Sequence, residues 1–504
     1  MTHISTPTSN ARLSTRGSRL SSTASLLVPA LRWDTAHGFT HLRDGVDDAL
    51  ELGVGGFFIR GGPRDEVASL IAELHERSRI PLLVAAAAER GAGQLFEGCI
   101  GLPPLGALGT IDDPSIARRA ARVTARDLKT MGINWVLGPV CDVDVDPGSA
   151  IVGTRGLGGD RVTDAAFISE WVDACQAEGV LACAKHFPGH GRAPVDTHVA
   201  RHVVREPART LWSDMLSFRA AIDSGVASVM TAHVAYHSLD RSGVPATISE
   251  PILTEFLRKE LGFDGLIVSD SLEMEGLLAF GDERAVAEGA LRAGCDMLLA
   301  PADPAGLVRT LDRAQQQGAL QSERVHNAQE RREQWAVWAR PSSGPGTTMD
   351  DVMWARQLAD RSVQQLRGAI PDVGSAVEVI VVDDDADGPW PAPARGSFAW
   401  ALRAMDVEAS VVAEPSTNTN APVVILAVAD VTAWKNSIAF GAESLAAIER
   451  ALFIAHAQAR PALVVLAAHP RSAAQLTGAV NVLCVWGGEQ PMLEAAARAI
   501  VSGR

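Results

Sequence analysis

Short stretches of the chain concentrate the side chains that could do chemistry. Lys185-His186-Phe187-Pro188-Gly189-His190-Gly191 is followed by Asp196-Thr197-His198. Met230-Thr231-Ala232-His233 and Ser269-Asp270-Ser271 come later, while Asp142 and Gly153-Thr154-Arg155 precede them. Asp270 ends the apolar run GLIVS, so its carboxylate must face an open mouth or sit buried against a cation, because an unpaired buried charge is costly. Lys185 or Arg155 is the expected ion-pair partner, and such a partner keeps a carboxylate ionised and ready as a nucleophile. Asp196 and His198 are two apart, which sets both side chains on one side of an extended loop. A carboxylate beside an imidazole fixes its tautomer and raises its pKa, which suits proton donation and return near neutral pH. A single histidine at a strand end is usually a structural hydrogen-bonder. Convergence of Lys185, His186, His198, His233, Asp270 and Arg155 on one rim points instead to catalysis. No metal is expected, since the HxH pair of metal-dependent barrel hydrolases is missing and HFPGH puts two histidines around a Pro-Gly turn.

These groups act together only if the fold gathers them. From Ser25 onward, short apolar runs alternate with stretches of helical periodicity. The runs are SLLVPALRW (25–33), GVGGFFIRG (53–61), PLLVAAA (81–87), INWVLGPV (133–140), VLACAKHF (180–187), SVMTAHV (228–234), GLIVSDSL (265–272) and MLLAPAD (297–303). Runs apolar on both faces mark a parallel sheet covered by helices. About eight such units in roughly 300 residues predict an α/β fold, a (β/α)8 TIM-type barrel over 25–338, with its chemistry on the loops after the strand C-termini. ARPSSGPGTTMDD (339–351) reads as a linker. Beyond it, AVEVIVVDDD, VEASVVAE, APVVILAVAD, PALVVLAAHP and VNVLCVWGG predict a smaller α/β sandwich domain over 352–504 with a mainly parallel sheet. Its acidic turn Asp383-Asp384-Asp385-Ala386-Asp387 is expected as a solvated loop. Neither domain opens on a glycine-rich phosphate loop, so no nucleotide cofactor is expected.

The chain has 504 residues, enough for two to four domains, and a formal net charge of −15. That balance argues against nucleic acid or a membrane surface as partner. Six cysteines without CxxC spacing, mostly in apolar runs, fit a reducing, cytoplasmic setting. Aromatic residues make up only 5% of the chain, which favours a pocket for a short ligand over a groove for a polymer. Residues 1–24 read as a disordered leader, with a transit peptide as the alternative. The apolar stretch Leu26 to Leu31 is broken by Pro29 and too short for a signal-peptide core.

The cluster KHFPGHG, DTH, VMTAHV, PATIS and LGFDGLIVSDSLEMEG resembles glycoside hydrolase family 3, in its branch of NagZ-type β-N-acetylglucosaminidases. LADRSVQQLRG and WGGEQPMLEAAARA resemble the second domain of two-domain members. The resemblance implies a retaining, exo-acting hydrolase of terminal β-linked GlcNAc on small cell-wall-derived glycosides, without a cofactor. It makes Asp270 the nucleophile that forms a glycosyl-enzyme, and His198, supported by Asp196, the general acid/base. The loop from Gly189 to His198 would bring that imidazole in once the sugar is bound. By the same carry-over Lys185, His186 and Arg155 bind the sugar, Glu89 and Met230 join that set, and Asp142 and His233 support it.

An imidazole in place of a second carboxylate repels phosphate less and leaves a phosphorylase open as an alternative. Relatives of this branch carry an Asp after the third strand, in a pattern like AADLERGAG, where PLLVAAAAERGAG has Ala87. Loss of a charge-assisted pair there costs roughly 1.5–3 kcal/mol of binding. A different terminal sugar, compensation by Glu89 or Arg90, and a sugar-binding protein with lost turnover all remain open. The expected partner is a small carbohydrate, with a homodimer left open.

Overall fold

The computed structural model describes residues 23–111, 113, 115–146, 149, 151–158, 160–193, 202–339, 344–385, 395–429 and 439–503. Asp196 and His198 lie outside the described residues. Each apolar run of the first part contains a strand. They are β1 (Leu27–Val28), β2 (Ala30–Arg32), β3 (Gly56–Arg60), β4 (Leu83–Ala86), β5 (Trp135–Val136), β6 (Cys183–Phe187), β7 (Ser228–Thr231), β8 (Leu266–Val268) and β9 (Leu298–Leu299). Pro29 splits the first run because it has no N–H to give a ladder. The chain changes neighbours there: Leu27 pairs with Leu298 and Ala30 with Phe58, both in parallel. The parallel order continues through Phe58↔Ala85, Ala85↔Trp135, Trp135↔Leu181, Cys183↔Ser228, Ser228↔Leu266 and Val268↔Met297, which closes the barrel on itself.

Strand alternation explains why the runs are apolar throughout. Phe58, Ala85, Trp135, Cys183, Met230 and Val268 fill the barrel interior. Phe57, Ile59, Val84, Val136, Ala184 and Ile267 point the other way and pack on the surrounding helices. Helix α1 (Ser115–Thr130) shows the matching pattern: Ile116, Ala117, Ala120, Ala121 and Leu128 are buried at helical spacing, while Arg118 and Arg122 face solvent with Glu170 and Glu178.

The second domain has a six-stranded sheet built from β10 (Gln364–Arg367), β11 (Ala376–Asp383), β12 (Glu408–Val411), β13 (Val423–Ala429), β14 (Ala462–Ala468) and β15 (Val482–Cys484). Its spatial order is β10-β15-β14-β13-β11-β12, parallel except for the edge strand β10. Apolar clusters cover both faces, giving the expected sandwich.

Several details differ from the sequence reading. Thr23 and Ala24, assigned to the leader, are fully buried, and Thr23 Oγ1 donates to Asp312 at 2.6 Å. Helix α2 (Met349–Arg361) starts inside the expected linker, capped by Thr348 and Asp351 in a reciprocal box. Ala355 and Leu358 on it pack into the barrel core and Ala359 into the second domain, so this helix joins the two units. The acidic turn is not a solvated loop. Arg395 donates to Asp383 at 2.8 Å, Asp385 is buried, and Asp384 accepts from the Gly441 N–H at 2.9 Å. Ala386 and Asp387 lie outside the described residues. Among the described residues no helix is long and apolar enough to cross a membrane.

Candidate active site

Strand parity decides which side chains reach the barrel mouth. Ala30, Phe58, Ala85, Cys183 and Val268 line the interior. Two residues further along the same faces stand Arg32, Arg60, Ala87, Lys185 and Asp270. Asp270 therefore opens onto the mouth, as its position at the end of GLIVS requires. Its Oδ1 accepts the Ser271 N–H at 2.7 Å, and its Oδ2 lies 3.9 Å from Nε2 of His186.

Lys185 of this ring and Arg155 beside it are held by one buried carboxylate. Glu89 receives two hydrogen bonds from Arg155, at 2.9 and 2.8 Å, and its Oε1 lies 2.6 Å from Lys185 Nζ. The expected pairing of Asp270 with Lys185 or Arg155 is thus corrected, because Glu89 is the carboxylate both of them hold. Burial favours the neutral form of Glu89, but the charges and hydrogen bonds of Arg155 and Lys185 outweigh it and hold the carboxyl well below its ordinary range. Burial likewise pulls Arg155 down, and the charge of Glu89 more than restores it, so its pKa is raised. Glu89 acts through these cations, which it aims at the mouth.

Asp142 does the same for His186. Its Oδ2 accepts from Nδ1 of His186 at 2.7 Å, and its two oxygens also take the backbone N–H groups of His186 at 3.2 Å and His190 at 2.6 Å. Burial opposes the charge on Asp142, yet His186 and His190 keep its pKa below the ordinary value. The ring of His186 thereby carries its proton on Nδ1 and turns Nε2 toward Asp270.

His233 supports the site from below. Its Nε2 donates to the Ser271 carbonyl at 3.1 Å and its Nδ1 meets Thr247 Oγ1 at 2.7 Å, which anchors the residue next to Asp270. Met230, expected among the sugar-binding groups, is 2% exposed and belongs to the interior cluster. It lies one layer below the ring and floors the mouth as an apolar side chain. Arg90 is committed to Glu489 of the second domain and to Thr154 at 3.3 Å, so it does not compensate for Ala87.

The segment leading to Asp196 and His198 is anchored at its root. Gly189 O accepts from Tyr236 Oη, and Arg192 pairs with Asp214. The sequence reading missed Arg32, Arg60 and Glu273, although the first two stand at the i+2 positions that parity selects. Glu273 lies 2.5 Å from Arg32 and 3.8 Å from Arg60. It also missed the second domain's grip on the site: Asp144, two residues past Asp142, takes Arg471 at 2.8 Å and His469 at 3.2 Å. A cleft of about 840 Å³ opens between the two domains beside that contact, lined by Asp144, Asp160, Gln364, His469, Arg471 and Trp486 and by none of the ring residues.

Residues 56–333 match the glycosyl hydrolase family 3 N terminal domain. A protein of Cellulomonas fimi described as beta-N-acetylglucosaminidase/beta-glucosidase is 37% identical over 259 residues, covering 49% of this chain and 46% of that protein, less than half of its length. A beta-hexosaminidase of Methylobacillus flagellatus is 37% identical over 242 residues, covering 46% of this chain and 68% of that protein. Among solved structures, a glycoside hydrolase family 3 beta-N-acetylglucosaminidase from Paenibacillus sp. str. FPU-7 superposes with a TM-score of 0.83 over 97% of both chains at 24% identity. A beta-glucoside phosphorylase, BglX, bound to 2FGlc, superposes with a TM-score of 0.82 over 96% of this chain and 92% of its own at 18% identity. Both of these likenesses are of fold.

Proposed function

The chain belongs to glycosyl hydrolase family 3, and from that membership we propose that it is a retaining, exo-acting β-N-acetylglucosaminidase of small cell-wall-derived glycosides. The observation that carries this reading is Asp270, a carboxylate at the end of a barrel strand with Nε2 of His186 3.9 Å away. Lys185 and Arg155, held by the buried Glu89, supply donors for the hydroxyls and ring oxygen of one terminal sugar, and His186, held by Asp142, offers Nε2 as an acceptor for a hydroxyl. In the proposed step an Asp270 oxygen bonds to the anomeric carbon as the glycosidic C–O bond breaks, and His198, oriented by Asp196, gives its proton to the leaving oxygen. Water then returns that proton to His198 and releases the sugar from Asp270 with its configuration retained. The proposed setting is the cytoplasm, supported by six cysteines that are all unpaired and mostly buried.

The test is release of GlcNAc from an aryl β-N-acetylglucosaminide, with the product anomer followed by NMR. Asp270→Asn is expected to lower turnover by about 10³ or more while leaving the melting temperature within a few degrees. Full activity in that variant, or an inverted product, rejects the assignment. Turnover with and without inorganic phosphate separates hydrolysis from phosphorolysis, since only the second yields a sugar 1-phosphate.

A further inference from the structure

Arg60 is the cation of the ring whose charge the neighbouring side chains leave least satisfied. It follows Phe58 by two residues, points to the same interior face, and lays its guanidinium over that ring at 5.5 Å from the centroid. Arg155 and Lys185 share Glu89 at 2.8 and 2.6 Å, and Arg32 takes Glu273 at 2.5 Å. Among the described residues the Arg60 guanidinium makes no hydrogen bond, although its backbone carbonyl accepts from the Trp33 N–H at 3.1 Å, and its ion contact with Glu273 is 3.8 Å long. Phe58 pairs in register with Ala85, so the next ring position beside Arg60 is Ala87. A methyl group there neither neutralises the guanidinium nor accepts a hydrogen bond from a sugar hydroxyl.

We propose that Arg60, beside Ala87, makes the enzyme select a terminal sugar that carries an anionic oxygen substituent: a carboxylate, sulfate or phosphate. This rests on the reading that Asp270 faces the sugar to be released. Burial and the nearby Arg32 lower the Arg60 pKa, the charges of Glu273 and Asp270 pull it back, and it settles at about 10, so it is a full cation at neutral pH. A partly desolvated guanidinium prefers a two-oxygen anion that it can grip with parallel N–H donors. The chemistry adds to this preference. Asp270 loses its negative charge on forming the glycosyl ester, and an anionic substituent on the same sugar then balances Arg60 in the intermediate.

The full chain is assayed on aryl β-N-acetylglucosaminides that bear sulfate, phosphate or carboxylate, placed in turn at C3, C4 and C6, against the unmodified parent. One anionic isomer is expected to exceed the parent in kcat/KM by about tenfold or more. That ratio should fall about 10- to 100-fold in Arg60→Gln and in Ala87→Asp, and recover in part in Arg60→Lys. Because the parent is measured on the same variants, a general folding defect cancels from the ratio. Preference for the parent over every anionic isomer, or a ratio unmoved by Arg60→Gln, overturns the proposal and leaves the glycosidase reading standing. A defect of Arg60→Gln confined to phosphate-dependent turnover assigns Arg60 to a phosphate acceptor and also overturns it. If no substrate turns over, the glycosidase reading fails, and calorimetric affinities for the free anionic and neutral sugars judge Arg60 by the same ratio.

Discussion

Asp142 holds His186 by a 2.7 Å hydrogen bond to Nδ1 while its two oxygens also collect the backbone N–H groups of His186 and His190. One carboxylate thus fixes the ring that faces Asp270 and the root of the segment that runs on to His198. Asparagine at 142 would keep one oxygen and turn an N–H₂ group against donors. Asp142→Asn is therefore expected to destabilise the fold by about 2–3 kcal/mol, because buried donors lose an acceptor. Turnover should fall by about 10², the scale of a ring misplaced by 1 Å or so. Urea unfolding and steady-state kinetics on the same preparation check both. An unchanged kcat would show that His186 needs no such holder.

Glu89 gives a prediction in pH. Its carboxyl is depressed by Arg155 and Lys185, so the stability it contributes is fully present above the ordinary carboxylate value of about 4.3 and is lost as pH falls toward the depressed one. Glu89→Gln leaves both cations buried without a counter-charge, a loss of about 3–5 kcal/mol at neutral pH. The variant should also lack the wild type's contribution to the fall in stability below about pH 4. Denaturant unfolding from about pH 3 to pH 7 tests the shape as well as the size of the difference. Parallel curves for the two proteins would contradict the depressed pKa.

The barrel was legible because its strands are buried on both faces. Runs such as VLACAKHF and GLIVS need no alternation to stand out, and the polar residues ending them are where the structure puts the mouth. Strand β10 escaped because Gln364–Arg367 is an edge strand with Leu366 as its one apolar side chain, and its partly exposed residues leave no run to see. Pairing was harder to read than position. Nothing local in the sequence says that Lys185 and Arg155 share Glu89 in preference to Asp270, because the choice depends on three strand ends meeting in space. Arg60 and Arg32 were readable in principle, since counting two residues on from Phe58 and Ala30 lands on them. The linker was misjudged because its Pro and Gly residues precede Thr348, whose capping of α2 starts a helix within the same stretch.

The second domain is expected to act on the site through Asp144. Arg471 and His469 grip a residue two positions from Asp142, which makes them candidates for positioning the site through that loop. Arg471→Ala should lower kcat by a few-fold to about thirtyfold, the effect of about 0.5–2 kcal/mol of coupling, with a smaller change in KM. A double-mutant cycle separates this from simple loosening of the interface. In the Asp142→Asn background the Arg471→Ala effect on kcat should largely vanish, whereas independent roles would add.

Gly191 provides the most local test of how the segment before His198 is set. A Cβ built on it would come within 1.7 Å of the Val143 carbonyl oxygen, and backbone cannot yield as the end of a flexible side chain does. Val143 lies between Asp142 and Asp144, so the clash falls on the loop that holds His186 on one side and the second domain on the other. Gly191→Ala must therefore displace either that loop or the segment that begins at Gly189. The expected result is a fall in kcat/KM of about a hundredfold, as for a catalytic group moved by 1 Å or so, with a destabilisation of about 1–3 kcal/mol from overpacking. Gly189 differs, since its φ of 128° demands glycine for conformation and the nearest atom to an added Cβ is 4.0 Å away. Gly189→Ala should accordingly cost stability by backbone strain of about 1–3 kcal/mol. Comparing the two variants by unfolding and by kinetics distinguishes a contact that matters for turnover from one that only strains the backbone. Equal activities in the two variants would place the Val143 contact outside the catalytic arrangement.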